Sequence, residues 1–374
     1  MAKRRILPAE IEIGSVLSYD AYDERGRLLL RKGVVIDRNS QIEGLIERGL
    51  FVETDHAPKP APEVKSEPTA VSCLLEVRRR LEVLSAPRAS SDNFEQQVMA
   101  LRRLIAQACR INQDVALAMA LLDHGGRYSI RHSVDVAVAC HAVGTVLGIP
   151  EPELSSIVAA GLTMNWSILQ VQDALQDQQD PLNEAQREII ERHPESSATM
   201  LRGRGITDEV WIKAVLCHHE AKDGSGYPAR LAGNGVPMQA QLVSIADVYC
   251  ARISGRNYRR GLRPNAALRA LFLDQGKKIS QELINRFIKA IGVFPPGTPV
   301  RLECGEIAVV TQRGENAGKP EVCSIVGSRG MPFAVPIRRS TSRPTYGVRE
   351  VIDWRDVCAM PTMQSLWGKA AAVE

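Results

Sequence analysis

The chain has 374 residues, with 47 Lys and Arg against 43 Asp and Glu, and a formal net charge of +4. This length allows two or three domains, and 44% hydrophobic residues are enough for a sizeable core. The near balance of charge excludes a bulk nucleic-acid binder, which would be far more basic. The eight cysteines form no CxxC pair, so we expect buried, reduced thiols. Since no apolar run reaches about 18 residues, we expect a cytoplasmic protein without a membrane span.

The N-terminal 55 residues are predicted to form a small α+β domain. Strand-like runs over 16–22 and 28–36 flank Asp23-Glu24-Arg25-Gly26, which is typical of a hairpin loop. A helix over 40–48 is predicted to follow. Residues 56–72 contain four prolines and few apolar side chains, so 56–92 is predicted to be a linker with a short helix.

Residues 93–294 are predicted to be nearly all helical. Asp92 and Glu95 stand at capping-box spacing before a long helix with an apolar stripe. Further helices are predicted over 133–147, 151–162, 208–218 and 239–253, one beginning at Asn183 and Gln186, and an amphipathic one capped by Ser280. From 298 the apolar residues recur with period two, so 295–374 is predicted to be a β-rich appendage and tail. The predicted fold class is mainly α.

A histidine pair stands in the segment HHEAKDGSGYP, which begins at His218 and His219. Adjacent histidines near a helix end can turn toward one metal ion, and imidazole is a common ligand of divalent metals. The glycines that follow allow the backbone to approach an anion closely. The segment therefore predicts a metal or anion site.

Residues 125–292 resemble the HD-GYP family, a branch of the HD phosphohydrolases. The resemblance is carried by HHEAKDGSGYP, by Ile245–Tyr249 and by Ser254–Arg259 in this order, and the tail FPPGTPVRLECGEIAVV is also similar. HD-GYP proteins hydrolyse cyclic di-GMP at a centre of two or three metals, often iron or manganese. The resemblance implies an HD-type helical bundle with a small α+β N-terminal domain and a small β appendage.

The family pattern assigns roles to individual residues of this chain. The residues at metal-ligand positions are His132, His193, His218, His219 and Asp247. The residues at ligand-binding positions are Tyr227, Arg256 and Arg259, and the planar guanidinium of arginine suits a phosphate. A solvated basic face remains the alternative for the two arginines.

The residues that name the HD family are absent here. The segment LTMNWSI stands where the family has LLHDIGK, so Met164 and Asn165 occupy the histidine and aspartate positions and Ile168 that of the lysine. A neutral amide cannot bridge two dications as the shared carboxylate does. We therefore expect iron or manganese at reduced occupancy, with three histidines holding a single ion. Tyr128, where three-metal members often have glutamate, disfavours a third ion.

These residues predict a degenerate HD-GYP protein of cyclic di-GMP signalling, regulatory and with weak or no phosphodiesterase activity. Its expected partners are cyclic di-GMP or a related nucleotide, and a signalling protein such as a diguanylate cyclase domain. Neither a membrane nor bulk nucleic acid is expected as a partner. Two alternatives stay open: an active phosphodiesterase that uses fewer metals, and an interaction scaffold that binds neither metal nor nucleotide.

Overall fold

The computed structural model describes residues 3–5, 20–23, 27–34, 51–53, 67–86, 92–255, 261–274, 277–314 and 318–373. The chain divides into two compact units, residues 1–67 and residues 68–374. Among the described residues, none of the helices combines the length and the apolar character needed to cross a membrane.

The first unit contains an antiparallel sheet of four short strands in the order β1-β4-β2-β3. The strands are β1 (Lys3–Arg5), β2 (Ala21–Tyr22), β3 (Leu28–Leu30) and β4 (Phe51–Glu53). The predicted hairpin is confirmed, because β2 pairs with β3 and the Asp23 N–H donates to the Arg27 carbonyl at 2.9 Å. β2 and β3 are shorter than the predicted runs, and the predicted helix over 40–48 lies outside the described residues.

The second unit begins with a helical bundle, in agreement with the predicted fold class. Its helices are α1 (Ala70–Leu84), α2 (Phe94–Leu122), α3 (Tyr128–Val146), α4 (Glu151–Thr163), α5 (Leu169–Leu175), α6 (Glu184–Gly203), α7 (Glu209–Cys217), α8 (Met238–Ser254), α9 (Pro264–Asp274) and α10 (Gln281–Ile291). Their apolar faces form one core. The predicted stripe of α2, Phe94, Val98, Leu101 and Ile105, lies in this core and is at most 1% exposed.

Two predicted helix starts are wrong. Asn93, and not Asp92, is the N-cap of α2; it takes a left-handed conformation with φ 55° and makes no side-chain cap bond. α3 begins at Tyr128 rather than at 133. His132 therefore lies in the second turn of α3, with its side chain in the bundle, and not at the start of a helix.

Capping boxes explain two other helix starts. α1 begins inside the predicted linker 56–72, because Thr69 and Ser72 each accept a hydrogen bond from the other's backbone N–H. The same reciprocal bonds between Asn183 and Gln186 confirm the predicted start of α6. α1 packs in the same core as the later helices.

A five-stranded antiparallel sheet follows, in the order β8-β7-β6-β5-β9. Its strands are β5 (Pro299–Leu302), β6 (Ile307–Gln312), β7 (Glu321–Val326), β8 (Pro332–Ser340) and β9 (Val348–Val351). The predicted change to β structure is confirmed, but β6 and β7 are buried in continuous runs and do not alternate. Both faces of the sheet are covered: Val300 and Val310 belong to one apolar cluster, while Val309 and Ile325 belong to another with Trp354.

The C-terminal segment forms hydrogen bonds to the sheet and to the start of the helical bundle. It contains α11 (Met363–Trp367), and the Trp367 indole N–H donates to the Thr311 carbonyl at 2.7 Å. The Thr69 hydroxyl donates to the Ala372 carbonyl at 2.8 Å. The predicted boundary at 294 thus falls inside one compact unit, residues 68–374.

Asp173 of α5 holds the start of α3. Its carboxylate accepts the Ser129 N–H at 2.8 Å, the Ser129 hydroxyl at 2.9 Å and the Arg127 Nε–H at 2.9 Å. The N-cap residue Arg127 supplies no side-chain cap of its own. A carboxylate at a helix N-terminus also interacts favourably with the helix dipole. Asp173 therefore acts as a cap from outside the helix.

We expect Asp173→Ala to lower the free energy of unfolding by about 1–3 kcal/mol, since it removes charge-assisted bonds and the cap of α3. Urea denaturation measures the change. Glu188→Ala is the matched control: it breaks the exposed Arg192–Glu188 pair, and such pairs contribute about 0–1 kcal/mol. Equal losses in the two variants would contradict the capping role.

Candidate metal and ligand site

Three of the predicted ligands meet at one point. His193 lies in α6, His218 is the C-cap of α7, and His219 follows it. One ring nitrogen from each lies within 4.8 Å of the others. The ring centroids of His218 and His219 are 4.2 Å apart, so the adjacent pair turns to one side at the helix end. We call these three residues the histidine cluster.

The hydrogen bonds of the cluster fix where its lone pairs are. The Nδ1–H of His193 donates to the Ile190 carbonyl at 2.5 Å, and the Nδ1–H of His218 donates to the Val215 carbonyl at 2.6 Å. Carbonyl oxygens only accept, so in the neutral rings both Nε2 atoms carry lone pairs. These two Nε2 atoms are 3.1 Å apart. Two lone pairs at this distance repel unless a cation or a proton lies between them, and this arrangement suits a divalent metal.

Burial keeps the cluster neutral. It lowers the pKa of His219 to about 3, with a further contribution from His193. Burial also lowers the pKa of His193, and it holds the pKa of His218 well below its ordinary value, assisted by the two neighbouring rings. The neutral imidazole is the form that binds a metal. The cluster is therefore ready to bind at neutral pH.

The other two predicted ligands bond to each other. His132 Nε2 lies 2.7 Å from Asp247 Oδ1, and both residues are buried. Burial alone would raise the pKa of the Asp247 carboxyl, but the hydrogen bond and electrostatic attraction of His132, with contributions from His218 and His193, outweigh it and lower the pKa. Asp247 is thus an ionised carboxylate inside the helical bundle.

The histidine cluster and the His132–Asp247 pair both contribute to the wall of one cavity of about 410 Å³, which is large enough for a small ligand. Its polar wall includes His132, Asn165, His193, His219, Tyr227 and Asp247. Asp247 is the single carboxylate among the described lining residues. The cavity therefore joins the histidine cluster to the His132–Asp247 pair.

Met164 and Asn165, which occupy the histidine and aspartate positions of the family pattern, have different surroundings. Asn165 is 3% exposed and lines the cavity, so its amide stands beside the candidate ligands. Met164 is fully buried in the apolar core and does not line the cavity. Trp166 packs edge-on against Phe94 at 5.1 Å between ring centroids. Neither Met164 nor Trp166 plugs the cavity.

Glu220 is a site residue that sequence reasoning missed. Its buried carboxylate accepts the N–H groups of Ala229 at 2.6 Å and Leu231 at 2.8 Å. These bonds close the loop that follows the histidine pair. The signal in the sequence was a glutamate directly after two histidines, because a carboxylate that is buried beside them needs hydrogen-bond donors.

The same loop places Tyr227 against the cluster. The Tyr227 N–H donates to the His219 carbonyl at 3.1 Å, and the two rings stack with centroids 4.8 Å apart. A Cβ atom on Gly226 would lie 2.4 Å from the Ala221 nitrogen, so the tight turn requires glycine here. Arg256 and Arg259 lie outside the described residues, and their predicted role stays a prediction.

Comparison with known proteins identifies the domain. Residues 99–283 match the family described as HD domain. This chain contains an HD domain. It is 30% identical over 207 residues to a cyclic di-GMP phosphodiesterase of Pseudomonas aeruginosa, covering 55% of this chain and 50% of that protein. It is 27% identical over 220 residues to a cyclic di-GMP phosphodiesterase response regulator of Xanthomonas campestris pv. campestris, covering 57% and 58%.

Among solved structures, an HDG"Y"P protein from Bdellovibrio bacteriovorus aligns with 77% of this chain and 99% of its own, at 16% identity and a TM-score of 0.48. The chain spans about half the length of the curated relatives named above. The predicted resemblance is confirmed for the HD domain, which contains all five predicted ligands between His132 and Asp247.

We expect the free energy of unfolding to fall between pH 7 and pH 5. The folded state holds the pKa of His219 at about 3, whereas an unfolded histidine has a pKa of about 6.5. The unfolded state therefore binds more protons in this window, and acidification favours it. His219→Gln should make the slope shallower by at most about 1.4 kcal/mol per pH unit.

Urea unfolding at several pH values, with a chelator present, measures both slopes without a contribution from metal. Identical slopes in the wild type and in His219→Gln would contradict a buried neutral His219.

Proposed function

We propose that this HD domain binds cyclic di-GMP in the cavity over a site for one metal ion, and acts as a regulatory domain with weak or no phosphodiesterase activity. The observation that carries the proposal is Asn165. Its neutral amide lines the cavity where the family resemblance puts the metal-bridging carboxylate.

The histidine cluster fits one divalent ion. His193, His218 and His219 are neutral nitrogen donors, and the opposed Nε2 atoms of the first two need a cation between them. Three histidines are a credible ligand set for a single ion. Iron or manganese held there would polarise a phosphate oxygen or a water molecule.

A second ion is poorly supported. His132 and Asp247 are the remaining donors, and they bond directly to each other at 2.7 Å. Paired metals in hydrolases lie about 3.5–4 Å apart and act as a joint clamp on the attacking and leaving oxygens. Asn165 offers one neutral oxygen and cannot offset two dications. The arrangement favours ligand binding over hydrolysis.

Cyclic di-GMP is proposed as the ligand because two similar proteins are named as cyclic di-GMP phosphodiesterases. The cavity volume of about 410 Å³ falls within the range of small-molecule sites. Because the cavity is open, the structure weighs against a scaffold that binds no nucleotide. The proposed protein partner, a diguanylate cyclase domain, stays a prediction.

An active phosphodiesterase with fewer metals remains the second candidate. The ionised Asp247 beside His132 favours it, because this pair still presents a carboxylate to the cavity. Hydrolysis to linear pGpG or GMP separates the two candidates. Hydrolysis of cyclic di-GMP by the wild type, and its loss in the double variant His218→Ala with His219→Ala, would show an active phosphodiesterase and reject the proposal.

Restoring the missing pair provides a direct test. We expect the wild type to bind about one metal ion per chain and to hydrolyse cyclic di-GMP at background rate. Met164→His with Asn165→Asp should bind about two ions and raise hydrolysis at least about tenfold, since a bridging carboxylate returns. Metal analysis and chromatography of the products measure both quantities.

Asn165→Asp alone is the matched variant, because Met164 packs in the core and its replacement can disturb folding. It restores the carboxylate without touching that packing, and we expect a raised metal content. Unchanged metal content in both variants would reject the role assigned to Asn165.

A further inference from the structure

An aromatic ring lines the cavity beside the His132–Asp247 pair. Tyr128, the first residue of α3, stacks on the His132 imidazole with ring centroids 5.4 Å apart and planes inclined by 22°. The tyrosine is partly exposed and belongs to the cavity wall. A nearly parallel pair of rings extends a flat π surface to the edge of the cavity.

An amide without a partner stands on the same wall. Gln172 of α5 lines the cavity, and its side-chain oxygen Oε1 is buried with no hydrogen-bond donor among the described residues. A carbonyl oxygen kept from water without a donor is costly. The side chain therefore gains when its terminal amide turns to a donor that enters the cavity.

Hydrogen bonds join the chain neighbours of these two residues. Ser129, next to Tyr128, donates its N–H and its hydroxyl to Asp173, which is next to Gln172. Arg127 donates to the same carboxylate. These hydrogen bonds join the start of α3 to the middle of α5, and both elements contribute to the cavity wall.

Part of the surrounding wall is apolar, although Gln176 and Arg252 also line the cavity. Ile168 and Leu175 line the cavity and are at most 8% exposed. Ile168 stands where the family has a lysine, so this part of the wall offers no positive charge to a phosphate. A flat aromatic ring, an apolar wall and one acceptor are the features that a nucleobase requires.

We propose that Tyr128 and Gln172 form a guanine-binding subsite of this cavity, an inference that rests on the proposed binding of cyclic di-GMP. The base stacks on the Tyr128 ring, and its N1–H and N2–H groups donate to Gln172 Oε1. Adenine presents an acceptor at N1 and lacks the 2-amino group, so it cannot donate this pair of bonds to Oε1. Gln172 thus selects guanine, and Tyr128 supplies binding common to both purines.

The test is calorimetric titration of the full chain with cyclic di-GMP and with cyclic di-AMP. Tyr128→Leu keeps an apolar side chain but removes the π face, and it should weaken binding of both nucleotides about tenfold or more. Tyr128→Phe should bind both within about twofold of the wild type. Gln172→Leu should weaken cyclic di-GMP about tenfold and leave cyclic di-AMP unchanged, so that the preference for guanine is lost.

Gln170→Leu is the matched control, because Gln170 is exposed on the same helix and does not line the cavity. It should bind cyclic di-GMP as the wild type does. The thermal shift caused by Mn²⁺ should be the same in all variants, which shows that each is folded with an intact histidine cluster.

The outcomes separate the subsite from the proposed function. A wild type that binds neither nucleotide overturns both. A wild type that binds cyclic di-GMP, together with a Gln172→Leu variant that keeps its preference for guanine or a Tyr128→Leu variant that binds as tightly, overturns the subsite alone.

Discussion

The site depends on two opposed nitrogens, His193 Nε2 and His218 Nε2, 3.1 Å apart. Each ring is held by a hydrogen bond from its Nδ1 to the carbonyl three residues earlier in its own helix. These hydrogen bonds thus fix both the tautomer and the direction of each lone pair. Since burial lowers the pKa of both histidines, a proton is a poor bridge at neutral pH, and a metal ion is the better one.

The charge available to the cavity then decides how many ions it can hold. Asp247 is the one carboxylate among the described lining residues, and it is bonded to His132. One negative charge compensates part of a single dication in a buried environment, where charges are expensive unless paired. With Asn165 in place of aspartate, a second dication would lie beside the first without a shared anion. The number of ions follows from this charge balance more than from the number of nitrogen donors.

The sequence predicted the helices from their periodicity and the pair His218 and His219 from local spacing, whereas His193, 25 positions before His218, was assigned through the family resemblance. His218 and His219 are adjacent, and the loop to Tyr227 is short, so their meeting point follows from the chain itself. The subsite residues were not predicted, because Asp173 and Ser129 are 44 positions apart and nothing in either segment marks the contact. Likewise, the alternation of apolar residues predicted the strands of the C-terminal sheet. It did not predict that Trp354 would pack on the face that contains Val309 and Ile325. Long-range packing decides such features.

One short segment connects the positions that depart from the family pattern to the remaining wall. The turn after α4 contains Met164, Asn165 and Ile168, and α5, with Gln172, follows directly. Relative to the family pattern, Asn165 and Ile168 place an amide and an alkyl group where an acidic and a basic side chain stand, so these two positions of the cavity wall carry no charge. Contacts to a phosphate are electrostatic and weaken with salt, whereas stacking and amide hydrogen bonds do so much less. A nucleotide held by this wall would therefore be recognised chiefly through its base, while the ion proposed for the histidine cluster would be the place for a phosphate.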